Sequence, residues 1–209
     1  MKGNLIVLEG IDGCGKSTQI DYISKWLPIS GLMPNGSKLK ITREPGGTNL
    51  GKSLRKLLLN INANDCPEPL SELLLYAADR AQHVSQLILP AIEKGDWVLS
   101  DRFSGSTIAY QGYGRQLDLE IIYQLEEIAT QGLTPDITLW LDITIEESLA
   151  RRKALAKDRI ESEGKIFLER VSSGFAKLTA ERNWIKVAAS DPSETVSTKI
   201  KEVLIKRFH

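Results

Sequence analysis

The chain has 209 residues, a length suited to one domain spanning 1–209 with a core large enough to need no disulfide or metal staple. Its 27 basic and 27 acidic residues cancel, which argues against attachment to nucleic acid or an anionic membrane; any positive field must be local to a site. Cys14, Cys66, His83 and His209 show no zinc spacing and suit a reducing, cytoplasmic compartment, and no apolar run nears the roughly 18 residues of a membrane span.

The first element is a compact apolar run, Asn4 to Glu9, which reads as a buried strand ending at Gly10. A helix follows from Lys16 to Leu27, with Ile20, Ile23 and Leu27 on one face and Pro28 as its stop. After a turn-rich loop comes a short strand, Lys38 to Arg43, broken by Pro45-Gly46-Gly47, and a helical pattern from Asn49 to Asn60. A longer helix is expected from Pro69 to Lys94, with Leu73, Leu74, Ala77, Ala81, Val84 and Ile88 as its apolar stripe. Trp97 to Ser100 gives a third strand. Asp118 caps a helix whose apolar face is expected at Ile121, Leu125, Ile128 and Ala129, ending at Gly132. Ile137 to Leu141 and Trp184 to Ala188 are the fourth and fifth strands. A charged helical stretch, Glu146 to Arg182, lies between them, and an amphipathic helix from Ser193 to Lys206 closes the chain. Short apolar strands alternating with helices predict an α/β fold: a five-stranded parallel sheet flanked by helices. Ligands on such a sheet bind at the carboxyl ends of the strands, where every unusual motif of this chain falls.

Gly10-Ile11-Asp12-Gly13-Cys14-Gly15-Lys16-Ser17 matches the phosphate-loop pattern G-x-x-x-x-G-K-[ST], with a strand before it and a helix after it. Glycines let the backbone wrap so that successive N–H groups face one phosphate chain, and the following helix adds its positive end. Lys16 is expected on the β- and γ-phosphates of ATP and Ser17 on Mg²⁺, with Thr18 closing the loop. The loop alone does not choose among switches, motors and small kinases. The chain lacks the Asn-Lys-x-Asp guanine reader of regulatory GTPases and the signature of transporter ATPases, which leaves small kinases.

Four further segments carry a resemblance: Glu9 to Thr18, Thr42 to Thr48 (TREPGGT), Ala77 to Val84 (AADRAQHV) and Ser100 to Arg115 (SDRFSGSTIAYQGYGR). With them the chain resembles the thymidylate kinase family over essentially its whole length. The resemblance implies a phosphate-loop fold of the nucleoside monophosphate kinase type with a mobile lid at about 146–165. It implies transfer of the ATP γ-phosphoryl group to dTMP with Mg²⁺, and a homodimer, for which the 69–94 helix is the expected interface. By resemblance Arg55 and Arg102 hold the dTMP phosphate, Arg80 reaches thymine O4, Asp12 touches the sugar 3′-hydroxyl and Tyr76 stacks on the base. Thr107 bonds the N3 edge, Tyr110 packs where a ribose 2′-hydroxyl would go, and Gln111 lines the same pocket. Asp101 stands where a Walker-B-type acid would, acting on Mg²⁺ through water or fixing Arg102.

The family supplies a catalytic arginine either from the phosphate loop or from the lid; with Gly13 in the loop, this chain resembles the second group. Arg151, Arg152, Lys153, Lys157 and Arg159 crowd that stretch, and Arg152 and Arg159 are the expected catalytic arginines. His83 reads as a packing or capping histidine, Cys14 as a small filler, and the four tryptophans as core. Two alternatives stay open: a phosphate-loop kinase of another small phosphorylated acceptor, and a non-catalytic nucleotide binder.

Overall fold

The computed structural model describes residues 2–59, 66–152, 159 and 163–209. Its centre is a five-stranded sheet, all parallel, in the order β2-β3-β1-β4-β5. The strands are β1 (Leu5–Glu9), β2 (Leu39–Arg43), β3 (Trp97–Asp101), β4 (Ile137–Asp142) and β5 (Ile185–Ala188). Every residue of β1 is buried because it lies mid-sheet between β3 and β4. The edge strands β2 and β5 are largely open to solvent, each burying one residue, Thr42 and Val187, and Ile41 and Ile185 are exposed there despite their apolar side chains. One core joins β1, β3 and β4 to the helices α1 (Lys16–Trp26), α8 (Lys165–Glu181) and α9 (Ser193–Phe208). A second, smaller one packs Leu5, Val7, Val98 and Phe103 against Val84 and Ile88. Of the four tryptophans, Trp97 and Trp140 are buried, while Trp26 and Trp184 cover the core from its edge.

The expected 69–94 helix is helical throughout: α3 (Pro69–His83), a wide π-helical turn over Val84–Ile88, and α4 (Leu89–Glu93). The wide turn accommodates Pro90, whose ring would otherwise collide with a carbonyl of the preceding turn and whose nitrogen has no hydrogen to donate. The expected stripe of α3 is wrong at Leu74, which is half exposed; the buried face carries Glu72, Asp79, Arg80 and His83 beside Leu73. In α6 (Leu119–Thr130) the apolar face is shifted. Ile122 and Ala129 are buried, whereas Ile121 and Ile128 face solvent, and Asp118 does cap the helix through Glu120 N–H. Several apolar residues compete for each face here, and neighbouring elements decide the rotation.

A helical run absent from the sequence reading spans α5 (Ser104–Thr107) and a π-helical segment, Ile108–Gly114. Its glycines hide it from propensity, but they serve packing. A Cβ at Gly105 would lie 2.3 Å from the Trp184 ring, and one at Gly114 2.6 Å from Phe167. Both α2 (Asn49–Leu59) and α7 (Ile145–Arg152) fall where the pattern places them. Much of the expected lid, 153–158 and 160–162, lies outside the described residues, Lys153 and Lys157 included. No helix of the described residues is long and apolar enough to cross a membrane.

Candidate active site

The phosphate loop leaves the carboxyl end of β1 and enters α1 through Gly15, whose φ of 97° is open to glycine without strain. Lys16 is buried; its ammonium donates to the Gly10 and Ile11 carbonyls at 3.0 and 3.1 Å, spanning the loop from inside. Asp12 to Thr18 line a cleft with Arg43, Asp101, Arg102, Arg151, Arg152 and Asp191. Ile11 turns into the core, and Gly10 serves through its carbonyl, which accepts from both Lys16 and Arg102. Cys14 is buried as a filler; burial raises its thiol pKa, so the thiol stays protonated.

Ser17 Oγ donates to Asp101 Oδ2 at 3.4 Å, and Asp101 Oδ1 is buried with no partner among the described residues. A hydroxyl and a carboxylate with a spare oxygen form a hard donor set, and Mg²⁺ takes only one or two protein ligands where phosphates and water supply the rest. These residues fit Mg²⁺.

Arg102, at the end of β3, is the junction of the site. Its φ of 74° is rare for a residue with a side chain and costs on the order of 1–3 kcal/mol. The guanidinium donates to Gly10 O (2.8 Å), Ser106 Oγ (2.9 Å) and Asp12 Oδ1 (2.6 Å), and sits over the Tyr110 ring. Burial alone would raise the Asp12 carboxyl, but Arg102 and then Lys16 hold it well below the usual carboxylate range. The phenol of Tyr110 donates to Asp12 Oδ2 at 3.3 Å, and burial pushes its own pKa far up, so it stays neutral.

A second cleft opens beside the first. Its walls carry Arg55, Tyr76, Arg80, Phe103, Ser106, Thr107, Tyr110 and Gln111. Asp12, Glu44, Arg55 and Arg102 line both clefts, so the two are contiguous. Arg80 is 3 % exposed, with Nε and Nη2 both 2.8 Å from Glu44 Oε2 and Nη2 also donating to Phe103 O. Arg55 donates to Pro45 O. The Thr107 hydroxyl is buried in this wall without a hydrogen-bond partner among the described residues, so it is available to a ligand.

The sequence profile of the thymidylate kinase family matches residues 8–200. The chain belongs to that family. A thymidylate kinase of Prochlorococcus marinus (strain MIT 9303) is 62% identical over 208 residues, covering 100% of this chain and 96% of its own. One of Parasynechococcus marenigrum (strain WH8102) is 60% identical over 208 residues and 100% of both chains. Among solved structures, a thymidylate kinase from Ehrlichia chaffeensis aligns with a TM-score of 0.77 at 32% identity, covering 98% of this chain and 100% of that one.

Within this thymidylate kinase fold the two expected lid arginines part company. Arg152, at the end of α7, lines the donor cleft, its Cγ 3.1 Å from where a Cβ on Gly13 would stand. Gly13 thus leaves the room that Arg152 uses. Arg159 is held elsewhere: it donates to Leu58 O and pairs with Glu72, and it lines neither cleft. The buried Glu72 carboxylate also accepts from Gln111 and Arg115, and such a charge draws every cation within reach. Arg151 bridges Gly13 O and Ala189 O at the donor cleft, closer to the loop than its place in a charge run suggests.

Sequence reasoning passed over the carboxylates that hold the binding groups. Buried Glu9 accepts from the N–H groups of Phe103 and Ser106 and from Ser106 Oγ, fixing the turn that presents Arg102. Glu44 orients Arg80, and Asp79 accepts the Gly46 N–H at 3.1 Å. All three lie inside or beside the recognised motifs, and a charged residue next to a chain of buried neighbours was the available signal.

Proposed function

We infer that the chain transfers the γ-phosphoryl group of ATP to the 5′-phosphate of dTMP, giving dTDP and ADP. The observation that carries this reading is the pair of contiguous clefts: a phosphate loop on one side, and on the other a pocket with three arginines, an aromatic face and an unpartnered hydroxyl. A non-catalytic nucleotide binder has no use for the second cleft. Lys16, freed from the loop carbonyls, pairs with the donor phosphates. Arg55 and Arg102 neutralise the acceptor phosphate, whose oxygen is itself the nucleophile, so no general base is required. Tyr76 offers a flat face to the base, Arg80 donates to O4 and Thr107 meets N3. Asp12 and Tyr110 bound the sugar, and Gln111, anchored on Glu72, closes the far wall. Ser17 and Asp101 would hold Mg²⁺, which would supply charge neutralisation for the transferring phosphoryl group. Arg152 completes that neutralisation as charge spreads in the transition state.

The reading places the enzyme in the cytoplasm, where Cys14 and Cys66 stay reduced, as they are here. It also makes the enzyme a homodimer through α3, where Leu70, Leu74 and Ala78, spaced by four, form an exposed apolar strip. Incubation with ATP, Mg²⁺ and dTMP, followed by chromatography, tests the reaction. Equimolar dTDP and ADP are expected; ADP with unchanged dTMP would overturn the assignment.

A further inference from the structure

We propose that His83 is a positioning residue that sets the base selectivity of the acceptor cleft by locking Glu44 and, through it, Arg80. The imidazole is fully buried, and both of its nitrogens are engaged: Nδ1 lies 2.8 Å from Glu44 Oε1, and Nε2 lies 2.6 Å from Thr42 Oγ1. An ionised carboxylate only accepts, so Nδ1 carries the proton and donates to Glu44, while Thr42 Oγ1 partners Nε2 from the other side. The inference rests on reading the cleft as a thymine pocket.

The contact between Arg80 and Glu44 is not the usual two-oxygen fork. Nε and Nη2 both meet Oε2, so one oxygen serves as a pivot about which the guanidinium plane could swing. The other oxygen, Oε1, is fixed by His83 alone among the bonds the structure shows. That bond fixes the plane of the carboxylate, and with it the direction in which Oε2 receives Arg80. Arg80 Nη2 is further committed to Phe103 O, and Nη1 takes no part in any of these bonds while Arg80 lines the cleft. A guanidinium so held presents a donor in one direction only, the geometry that accepts a base with an exocyclic oxygen and rejects one with an exocyclic amine. Thr107 cannot make this distinction, because a rotating hydroxyl donates to an unprotonated ring nitrogen as readily as it accepts from a protonated one.

The turn after β2 is shaped around this histidine. A Cβ on Gly47 would lie 2.5 Å from His83 Nε2 and 2.7 Å from Thr42 Oγ1, so the second glycine of Pro45-Gly46-Gly47 makes room for the ring. Thr42 and Glu44 flank Arg43 on the strand end, and Arg80 and His83 stand three residues apart on α3 and share a face. The relay therefore ties the strand end to the helix at the residue that reads the base.

Steady-state kcat/KM for dTMP and dCMP in wild type, His83→Asn and His83→Leu tests the role. The amide nitrogen of Asn can stand where Nδ1 does, whereas Leu fills the volume and leaves Oε1 unpaired. We expect His83→Leu to lower the dTMP/dCMP ratio about tenfold or more, the scale of a mispaired buried polar group, while KM for ATP stays within about threefold. His83→Asn should hold most of the ratio. A purely structural histidine would slow both acceptors alike; an unchanged ratio in His83→Leu, or an Asn variant no better than Leu, would overturn the proposal. With only two histidines in the chain, nitrogen-15 spectra of the wild type give a second readout that needs no variant. The His83 Nδ1–H resonance should shift on saturation with dTMP while His209 does not, and an unmoved His83 signal would count equally against the role. A wild type indifferent between the two acceptors would instead overturn the thymine reading itself.

Discussion

Lys16 lines the donor cleft and is not part of the acceptor-cleft wall, so the two halves of binding separate at this residue. Lys16→Ala should lower turnover by at least about a thousandfold while calorimetry finds dTMP binding within about threefold of wild type, because the lost charge stabilises only the transferring phosphates. Near-normal turnover would remove Lys16 from that role. Arg152 carries a different kinetic signature. Its place beside Gly13 predicts that Arg152→Ala reduces kcat about a hundredfold with little change in dTMP KM, the pattern of an interaction made in the transition state. An equal loss from Arg159→Ala would mean that Arg159 leaves Glu72 during the cycle; in the geometry described, its removal acts on the Glu72 cluster instead.

At the scale of elements, α3 is where sequence and structure part most. The phosphate loop was legible because eight positions and both flanks are dictated by one chemical task, and the TREPGGT and DRFSGS segments were legible as family motifs. The buried face of α3 was not. Apolar periodicity favoured Leu74, while Glu72, Asp79, Arg80 and His83 are buried by partners on other elements, which no local pattern records. The glycine-rich helix after Arg102 escaped for a related reason, since its glycines answer to Trp184 and Phe167 far along the chain. Asp79 gives this burial a measurable consequence. Burial first, and then the neighbouring Glu44 carboxylate, push its pKa up to about 6. A raised acid pKa means that the folded protein holds the proton more tightly. The favourable contribution is complete below roughly pH 4 and is lost as pH rises through about 6. Asp79→Asn keeps an acceptor for Gly46 N–H without ionising, so the variant's Tm should gain on the wild type by several degrees between about pH 4 and pH 7. Parallel Tm curves for the two proteins would show that Asp79 does not titrate in this window.

For the whole molecule, the sheet order places the carboxyl ends of β1, β2 and β3 around one crevice, and each contributes a part: the loop, the Glu44 turn and Arg102. The outer face of α3 carries the inner face's opposite character, with Leu70 and Leu74 about half exposed. If the proposed dimer forms through that strip, Leu74→Lys should convert it to a monomer in sedimentation equilibrium; a variant that stays dimeric would move the interface off α3, and a monomeric wild type would overturn the dimer. The fold itself serves many acceptors, so the central claim is about the second cleft rather than the phosphate loop. Its most direct test is steady-state kcat/KM for dTMP, dUMP and dCMP under one set of conditions. Thymine and uracil differ by a methyl, a difference an apolar pocket reads by roughly 10–200-fold, while cytosine sets an amine against the fixed donor of Arg80 and should fall on the order of 10⁴-fold behind. The order dTMP, dUMP, dCMP with gaps of that size is the expected result; dCMP turned over as well as dTMP would contradict the assignment of this cleft.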